Sequence, residues 1–351
     1  TITSHVQGEE WMRRVARAAM AIAMALGFAP MAHADMKALE EAAKKEGELT
    51  WYTSHYTSEG AEDLGRGFTE LYGIKANVVR MTAQVAYQRL LHDLKKNQII
   101  CDVFSSTDVG HYVRLAAEDR LEKYVPQTES KIAPRFRNFD STGYYHATSA
   151  GLVVLTYNSA KVKAEEAPKK WPDLLDIKWK GKVSVGHPGF SGYVGTWALA
   201  LRNLYGWSFF DRLEKNKPQI GRSINDTVTA LSAGERQVAA GWDGSTLFSA
   251  SRGNPLAVNY PSDGAVLIIA PSAIMKGAKH PNAARLFMEY LHSIEAAKIN
   301  ARHFAIPLRP EVPSPPGARP ISEIKTIRPT VAEIDKGIAE VIDQWRETFG
   351  N

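Results

Sequence analysis

The sequence predicts an α/β protein of two lobes joined by two chain crossings, and three observations carry that expectation. Strand-like and helix-like segments alternate over residues 48–117, and a second such series runs over 182–251. Two long extended segments, "GYYHATSAGLVVLTYNS" and "GAVLIIAPSAIM", flank the second series. The 351 residues, 44% hydrophobic and 23% charged, have ordinary globular composition and suffice for two domains.

The N-terminus stands apart from that pattern. Met12-Arg13-Arg14-Val15-Ala16-Arg17 is basic, Ala18 to Ala29 is an uncharged apolar run, and Ala32-His33-Ala34 is small-x-small. This order predicts a secretory signal peptide over 12–34, cleaved before Asp35. The apolar run is shorter than the about 20 residues of a spanning helix. Residues 1–11 read as an extension ahead of Met12, so 1–34 form a leader set apart from the fold. Arg13-Arg14 raises the twin-arginine route without supporting flanks. Cys101 is the single cysteine, so no internal disulfide is expected, and it reads as a small core residue. No cysteine follows the cleavage site to carry a lipid, and the product is expected free in the periplasm. Net charge is +5 with no block of like charge, so no nucleic-acid partner is expected.

The elements follow in order. Asp35 to Glu46 reads as a helix ended by Gly47. "ELTWYTS" is a strand, and "EGAEDLGRGFTELYG" a helix with Leu64, Phe68 and Leu71 on one stripe and Gly73 at its end. "IKANVVRM" is a strand, "AQVAYQRLLHDLKKN" a helix, "IICDVFSS" a strand, and Val109 to Ala116 a helix. Such alternation implies a parallel sheet covered on both faces. The second series is strand "KVSVG", helix 191–205, helix "WSFFDRLEKN", strand "QIGRS", helix "NDTVTALSAG", strand "RQVAAGW", helix "STLFSAS" and extended "LAVNYP". Helices at 281–291 and 293–302, a Pro-rich linker "EVPSPPGARP" and a closing helix, Val331 to Phe349, complete the chain. The first series breaks off near Gly151 and resumes near Asp263. Lobe 1 is therefore expected over 35–150 plus 264–351, and lobe 2 over 151–263.

Ligands of open α/β sheets sit beyond the carboxyl ends of the strands. In lobe 1 those ends carry Ser54-His55-Tyr56-Thr57, Arg80-Met81-Thr82 and Ser105-Ser106-Thr107. In lobe 2 the stretch "GHPGFSGYVG" places Ser191, Gly192 and Tyr193 between a strand and a helix. Its glycines permit close backbone approach, and the helix offers free N–H groups to an anion. Trp242-Asp243 ends another strand, as helix cap or as holder of a cation or hydroxylated ligand. Asn225, at the start of "NDTVTALSAG", and Tyr144 complete the candidate set. No HExxH, CxxC or P-loop is present, "GFSGY" misses the nucleophile elbow by one position, and no catalytic residue or cofactor is assigned. His92, His280 and His292 read as surface or helix-face residues. A secreted α/β hydrolase using Ser191 is the alternative from a different functional class.

Five segments carry a family resemblance: "LTWYTSHYTSEGAEDLGRGFTELYGIKANVVRM", "CDVFSSTD", "WPDLLDIKWKGKVSVG", "TALSAGERQVAAG" and "HPNAARLFMEYLHS". In that order, over roughly 48–350, the chain resembles periplasmic solute-binding proteins of the ferric-iron-transport type. The resemblance implies a type 2 periplasmic-binding-protein clamshell, two α/β lobes with two hinge crossings, that delivers a small solute to an inner-membrane ABC permease and acts as a monomer. Family members bind ferric iron, and relatives bind phosphonates, sugar phosphates, thiamine or other small organic molecules. His55-Tyr56 matches the His-Tyr pair of the iron binders, whose tyrosine is a ligand. Their second-lobe tyrosine pair falls near Gly244-Ser245-Thr246, which has no tyrosine. Ferric iron wants several anionic oxygen donors. The expected solute is therefore a small organic anion, with no metal. The alternative is iron held by Tyr56 and completed by Tyr144, Tyr193 or an exogenous anion.

Overall fold

The computed structural model describes residues 29–350. The basic segment and the apolar run of the expected leader, up to residue 28, lie outside the described residues. Helix α1 (Ala29–Glu46) starts ahead of Asp35, so the bond expected to be cleaved lies within it.

In the first series, β1 (Glu48–Thr53) pairs in parallel with β2 (Lys75–Arg80) on one side and β3 (Val103–Ser105) on the other. Helix α2 (Ser58–Tyr72) opens at Thr57, whose Oγ1 accepts the Gly60 N–H, and closes at Gly73, left-handed at φ 72°. Leu64 and Phe68 are buried, whereas Leu71, on the same stripe, is 49% exposed. Helices α3 (Ala83–Lys95) and α4 (Gly110–Ala117) follow β2 and β3.

The sheet is mixed, not parallel throughout. Strand β4 (His146–Asn158) is buried along its whole length and pairs antiparallel with β9 (Ala265–Ile274), from His146 opposite Ser272 to Val153 opposite Val266. Beyond Val153, β4 pairs antiparallel with β7 (Val238–Trp242) and β8 (Leu256–Asn259), while the far end of β9 pairs with β3. The series parallel to β7 is β5 (Val183–Val185) and β6 (Gln219–Ile220). The strand order is β2-β1-β3-β9-β4-β7-β5-β6, so β4 and β9 are the two crossings between lobes. Antiparallel pairing arises because two strands that cross the molecule once each, out and back, run in opposite directions.

Helices α5 (Gly192–Tyr205), α6 (Ser208–Lys215), α7 (Ile224–Ser232) and α8 (Asp243–Ser251) cover the second half. Helices α9 (Pro281–Leu291) and α10 (Ile294–Arg302) return to the first, and β10 (Thr326–Ile327) pairs with β9. His292, read from sequence as superficial, is fully buried at the end of α9 and donates from Nε2 to the Ala147 carbonyl at 2.8 Å. A carbonyl of the crossing strand is thereby satisfied, which a surface histidine would leave to water.

The closing helix α11 (Val331–Phe349) has its expected bounds. Its apolar face packs on α5 and α6 of the second half: Trp345 is fully buried, with ring centroids 5.6 Å from Phe210 and 6.5 Å from Trp197. Arg202 pairs with Glu340 at 2.8 Å, and Trp207 Nε1 donates to Thr348 Oγ1 at 2.8 Å. Its contact with the first half is thinner, Asp335 lying 3.9 Å from Arg114 of α4.

The strand-end loops of the two halves touch. Gln84 N–H donates to the Phe190 carbonyl at 3.3 Å. A Cβ at Gly192 would lie 2.5 Å from the Thr107 carbonyl oxygen and 2.6 Å from Asp108 N, so only glycine permits this approach. Gly192→Val is expected to disfavour the closed form by about 1–3 kcal/mol, as overpacking does. X-ray scattering should then report a larger radius of gyration than wild type; an unchanged radius would show that the contact does not limit closure.

Candidate functional site

Every loop that meets at the lobe boundary follows the carboxyl end of a strand and precedes a helix. Three of these helices present N-termini there: α3 from Thr82, α5 from Ser191 and α7 from Ser223. Neither the Thr82 nor the Ser191 side chain caps its helix, which leaves first-turn N–H groups and the positive dipole end available. Between the loops lies a cavity of about 20 Å3, room for one or two water-sized centres. The lobes are thus nearly shut, and a larger solute needs them to part.

Of the residues expected from sequence, His55, Tyr56, Thr82, Thr107, Ser191, Tyr193, Asn225 and Trp242 line this cavity. Thr57, Ser105, Ser106, Tyr144, Gly192 and Asp243 are not among its lining, and most have visible duties elsewhere. Thr57 caps α2. Ser105 Oγ accepts from Trp51 Nε1 at 2.7 Å and is hydrogen-bonded to Ser272 Oγ at 2.5 Å. Ser106 Oγ meets His111 Nδ1 at 2.8 Å and accepts the Asp108 N–H. Tyr144 donates its N–H to Asp140 in a turn. These hydroxyls turn inward because buried ring and backbone donors need partners.

Sequence reasoning named Arg80 only as part of a loop, yet it is the cation of the cavity wall. Its Nε and Nη2 both donate to the Tyr56 carbonyl, at 3.1 and 3.0 Å, which aims the guanidinium across the cavity's lobe 1 side. Burial pushes its pKa down and the charge of Asp226 opposes this. Asp226 itself is held in the capping box of α7, accepting the Ser223 N–H at 3.1 Å. Ser54, Ala83, Ser223 and Ile224 also line the space and were not singled out.

Two residues of the first loop are constrained. Tyr56 adopts φ 38°, in the left-handed region, a strain of order 1–2 kcal/mol for a non-glycine residue. Its phenol donates to the Thr148 carbonyl at 3.2 Å, and burial pushes its pKa up to about 12. His55 is 2% exposed, and burial, with Arg80 adding to it, pushes its pKa down to about 3, so the ring is neutral. Its nitrogens lie near the Ser106 and Pro271 carbonyls without an aligned hydrogen bond. Thr82 Oγ1, Asn225 Oδ1 and Trp242 Nε1 are likewise buried without protein partners. These four residues give the cavity wall polar atoms that no protein group satisfies.

Asp243 sits directly behind Trp242 in sequence at the first turn of α8. Its Oδ1 accepts N–H bonds from Leu152 at 3.1 Å and Gly244 at 2.9 Å, and burial pushes its carboxyl up to about 7. Among the described residues, no group of three or more His, Cys, Asp and Glu side chains is placed to hold a metal ion. No helix among them is long and apolar enough to cross a membrane.

Comparison with known proteins agrees with this geometry. A putative 2-aminoethylphosphonate-binding periplasmic protein of Salmonella typhimurium is 24% identical over 280 residues, covering 76% of this chain and 77% of the relative. A probable ABC transporter periplasmic-binding protein of Sinorhizobium fredii is 23% identical, covering 74% of each. Among solved structures, the periplasmic binding protein AfuA of Actinobacillus pleuropneumoniae, with fructose-6-phosphate bound, superposes with a TM-score of 0.77 at 22% identity, over 87% of this chain and 99% of that one. Iron-bound HitA of Pseudomonas aeruginosa gives 0.73 at 21%, over 86% and 99%. These likenesses establish the fold as that of type 2 periplasmic binding proteins, two α/β lobes with two hinge crossings. The model of bacterial extracellular solute-binding proteins matches residues 98–326, and the chain belongs to that family.

Proposed function

We propose that this protein captures a small organic solute bearing an oxyanion between its lobes and hands it to an inner-membrane ABC permease. The observation that carries the reading is the half-buried Arg80 guanidinium, which lines one cavity together with the helix starts of α3, α5 and α7. A guanidinium and converging backbone N–H groups favour negative charge, and the low dielectric of a closed cleft strengthens both. Thr82, Ser191 and Asn225 add side-chain partners. The ligands named for two similar proteins, a phosphonate and a sugar phosphate, are organic oxyanions, which supports the class. We keep the expected division except for the closing helix: lobe 1 is 35–150 plus 264–330, and lobe 2 is 151–263 together with α11, whose Trp345 packs on Trp197 and Phe210.

Ferric iron has less support. The Tyr56 phenol is committed to a backbone carbonyl and held far from ionisation, and no tyrosine stands at 244–246. A fold shared with an iron-bound protein does not supply the donors.

Isothermal titration with alkylphosphonates and organic phosphates is expected to show saturable binding. Arg80→Gln should weaken it about 100-fold, or about 3 kcal/mol, as loss of a charged partner in a closed cleft does, and Arg80→Lys should recover part of it. A protein that ignores these anions, turns pink with ferric citrate and bleaches on Tyr56→Phe would contradict the reading.

Export rests on the leader motif and on the family. Material recovered from the periplasm is expected to begin at Asp35 on N-terminal sequencing and to run as a monomer. A Met12 or Thr1 terminus there would refute the cleavage.

A further inference from the structure

Behind the cavity lining, next to Trp242 in the chain, lies a buried group of opposite sign to Arg80, Asp243. Asp243 is 4% exposed, and the influences on its carboxyl are burial and backbone N–H groups, with no cation among them. Arg80 acts on His55 and is answered by Asp226, so the cleft's own cation is not the partner of Asp243. Burying a carboxylate without a counter-charge is costly, and the neutral amide of an asparagine could accept the Leu152 and Gly244 N–H bonds as well. These two hydrogen bonds alone therefore leave the choice of an aspartate unexplained.

Two aromatic rings that line the cavity lie near this carboxylate: Trp242 precedes it in the chain and Tyr193 feels its charge, and the ring centroids are 5.7 Å apart with planes at 47°. Gly151 of the crossing strand makes room for them: a Cβ there would collide with Tyr193 Oη and lie 2.5 Å from Trp242 Nε1. Electron-rich ring faces backed by a carboxylate form a surface complementary to an organic cation. The other titratable groups acting with Asp243 are the phenols of Tyr193 and Tyr260, both pushed up by burial, with Arg319 stacked on Tyr260 at 5.1 Å. Both phenols stay neutral at physiological pH, so Asp243 is the group of this wall whose charge changes near neutrality.

We infer that the solute carries an amino group as well as an oxyanion, and that the Tyr193–Trp242 wall backed by Asp243 is the subsite for the ammonium. The inference rests on the oxyanion reading above: the Arg80 end takes the oxyanion, and the amine lies toward the crossing strand. Asp243 acts through the aromatic wall as a positioning charge.

The test compares 2-aminoethylphosphonate with ethylphosphonate by isothermal titration of the mature protein. Wild type is expected to bind the amino compound at least about 10-fold more tightly, the scale of a desolvated cation–π contact with charge support. Asp243→Asn should bring the two ligands to within about 3-fold of each other. The pH profile gives an independent readout: with each phosphonate's own second ionisation accounted for, the preference of wild type should grow from pH 6 to pH 8 as Asp243 ionises, and that of Asp243→Asn should not. Ethylphosphonate binding as tightly as the amino compound, or a preference that survives Asp243→Asn, would overturn the subsite and leave the oxyanion reading standing. Failure of both ligands to bind, with ferric ion binding instead, would overturn both.

Discussion

The antiparallel pairing of β4 with β9 places everything else in this molecule. Both strands are buried along their whole lengths, both cross from one α/β series to the other, and their register runs from His146–Ser272 to Val153–Val266. Because β3 joins one end of this ribbon and β7 the other, the two parallel series are tied to it with their carboxyl ends toward a common boundary. Loops that would each be an isolated strand end are thereby brought face to face. Gly151, midway along β4, is where the aromatic side chains of the second lobe reach over the ribbon. A side chain at that position would separate them from it.

From that arrangement the electrostatics of the cleft follow. A helix begins after nearly every strand of a parallel series, so gathering strand ends also gathers positive helix ends. Arg80 adds a full charge, positioned by the carbonyl of a strained Tyr56. The strain is local and the surrounding bonds over-determine it: the Tyr56 phenol is anchored to β4 and its carbonyl to Arg80. Lobe 1 thus couples its ligand loop directly to the crossing strand. Lobe 2 contributes its share through Ser191, Tyr193, Asn225 and Trp242, all at the first turn of a helix or the end of a strand.

Much of this was legible in the sequence, and what was not has physical causes. Helical and strand periodicity gave the elements in order, since local burial patterns repeat at 3.6 and 2 residues. The mixed sheet was missed because strand direction depends on crossings, not on local pattern. The glycines of "GHPGFSGYVG" were read as making way for a ligand. In the structure Gly192 makes way for the opposite loop, and Gly195 lies under Ile338 of α11, contacts made by residues distant in sequence. Ser105 and Ser106 were read as ligand groups, but Trp51 and His111 claim their hydroxyls, and nothing local announces which way a buried hydroxyl turns. Arg80 was passed over because an arginine ending a strand usually reaches solvent; here the Tyr56 carbonyl, from a distant loop, holds its guanidinium half-buried at the cavity.

The central claim is that three helix starts and one guanidinium hold the solute's oxyanion. The most direct measurement is the amide spectrum of uniformly 15N-labelled protein titrated with an organic phosphonate. The account predicts saturable shifts concentrated at the first-turn amides, Ala83, Gly192 and Ile224, together with the Arg80 Nε–H resonance. Shifts confined to other surfaces, or saturation that leaves these four signals in place, would contradict it.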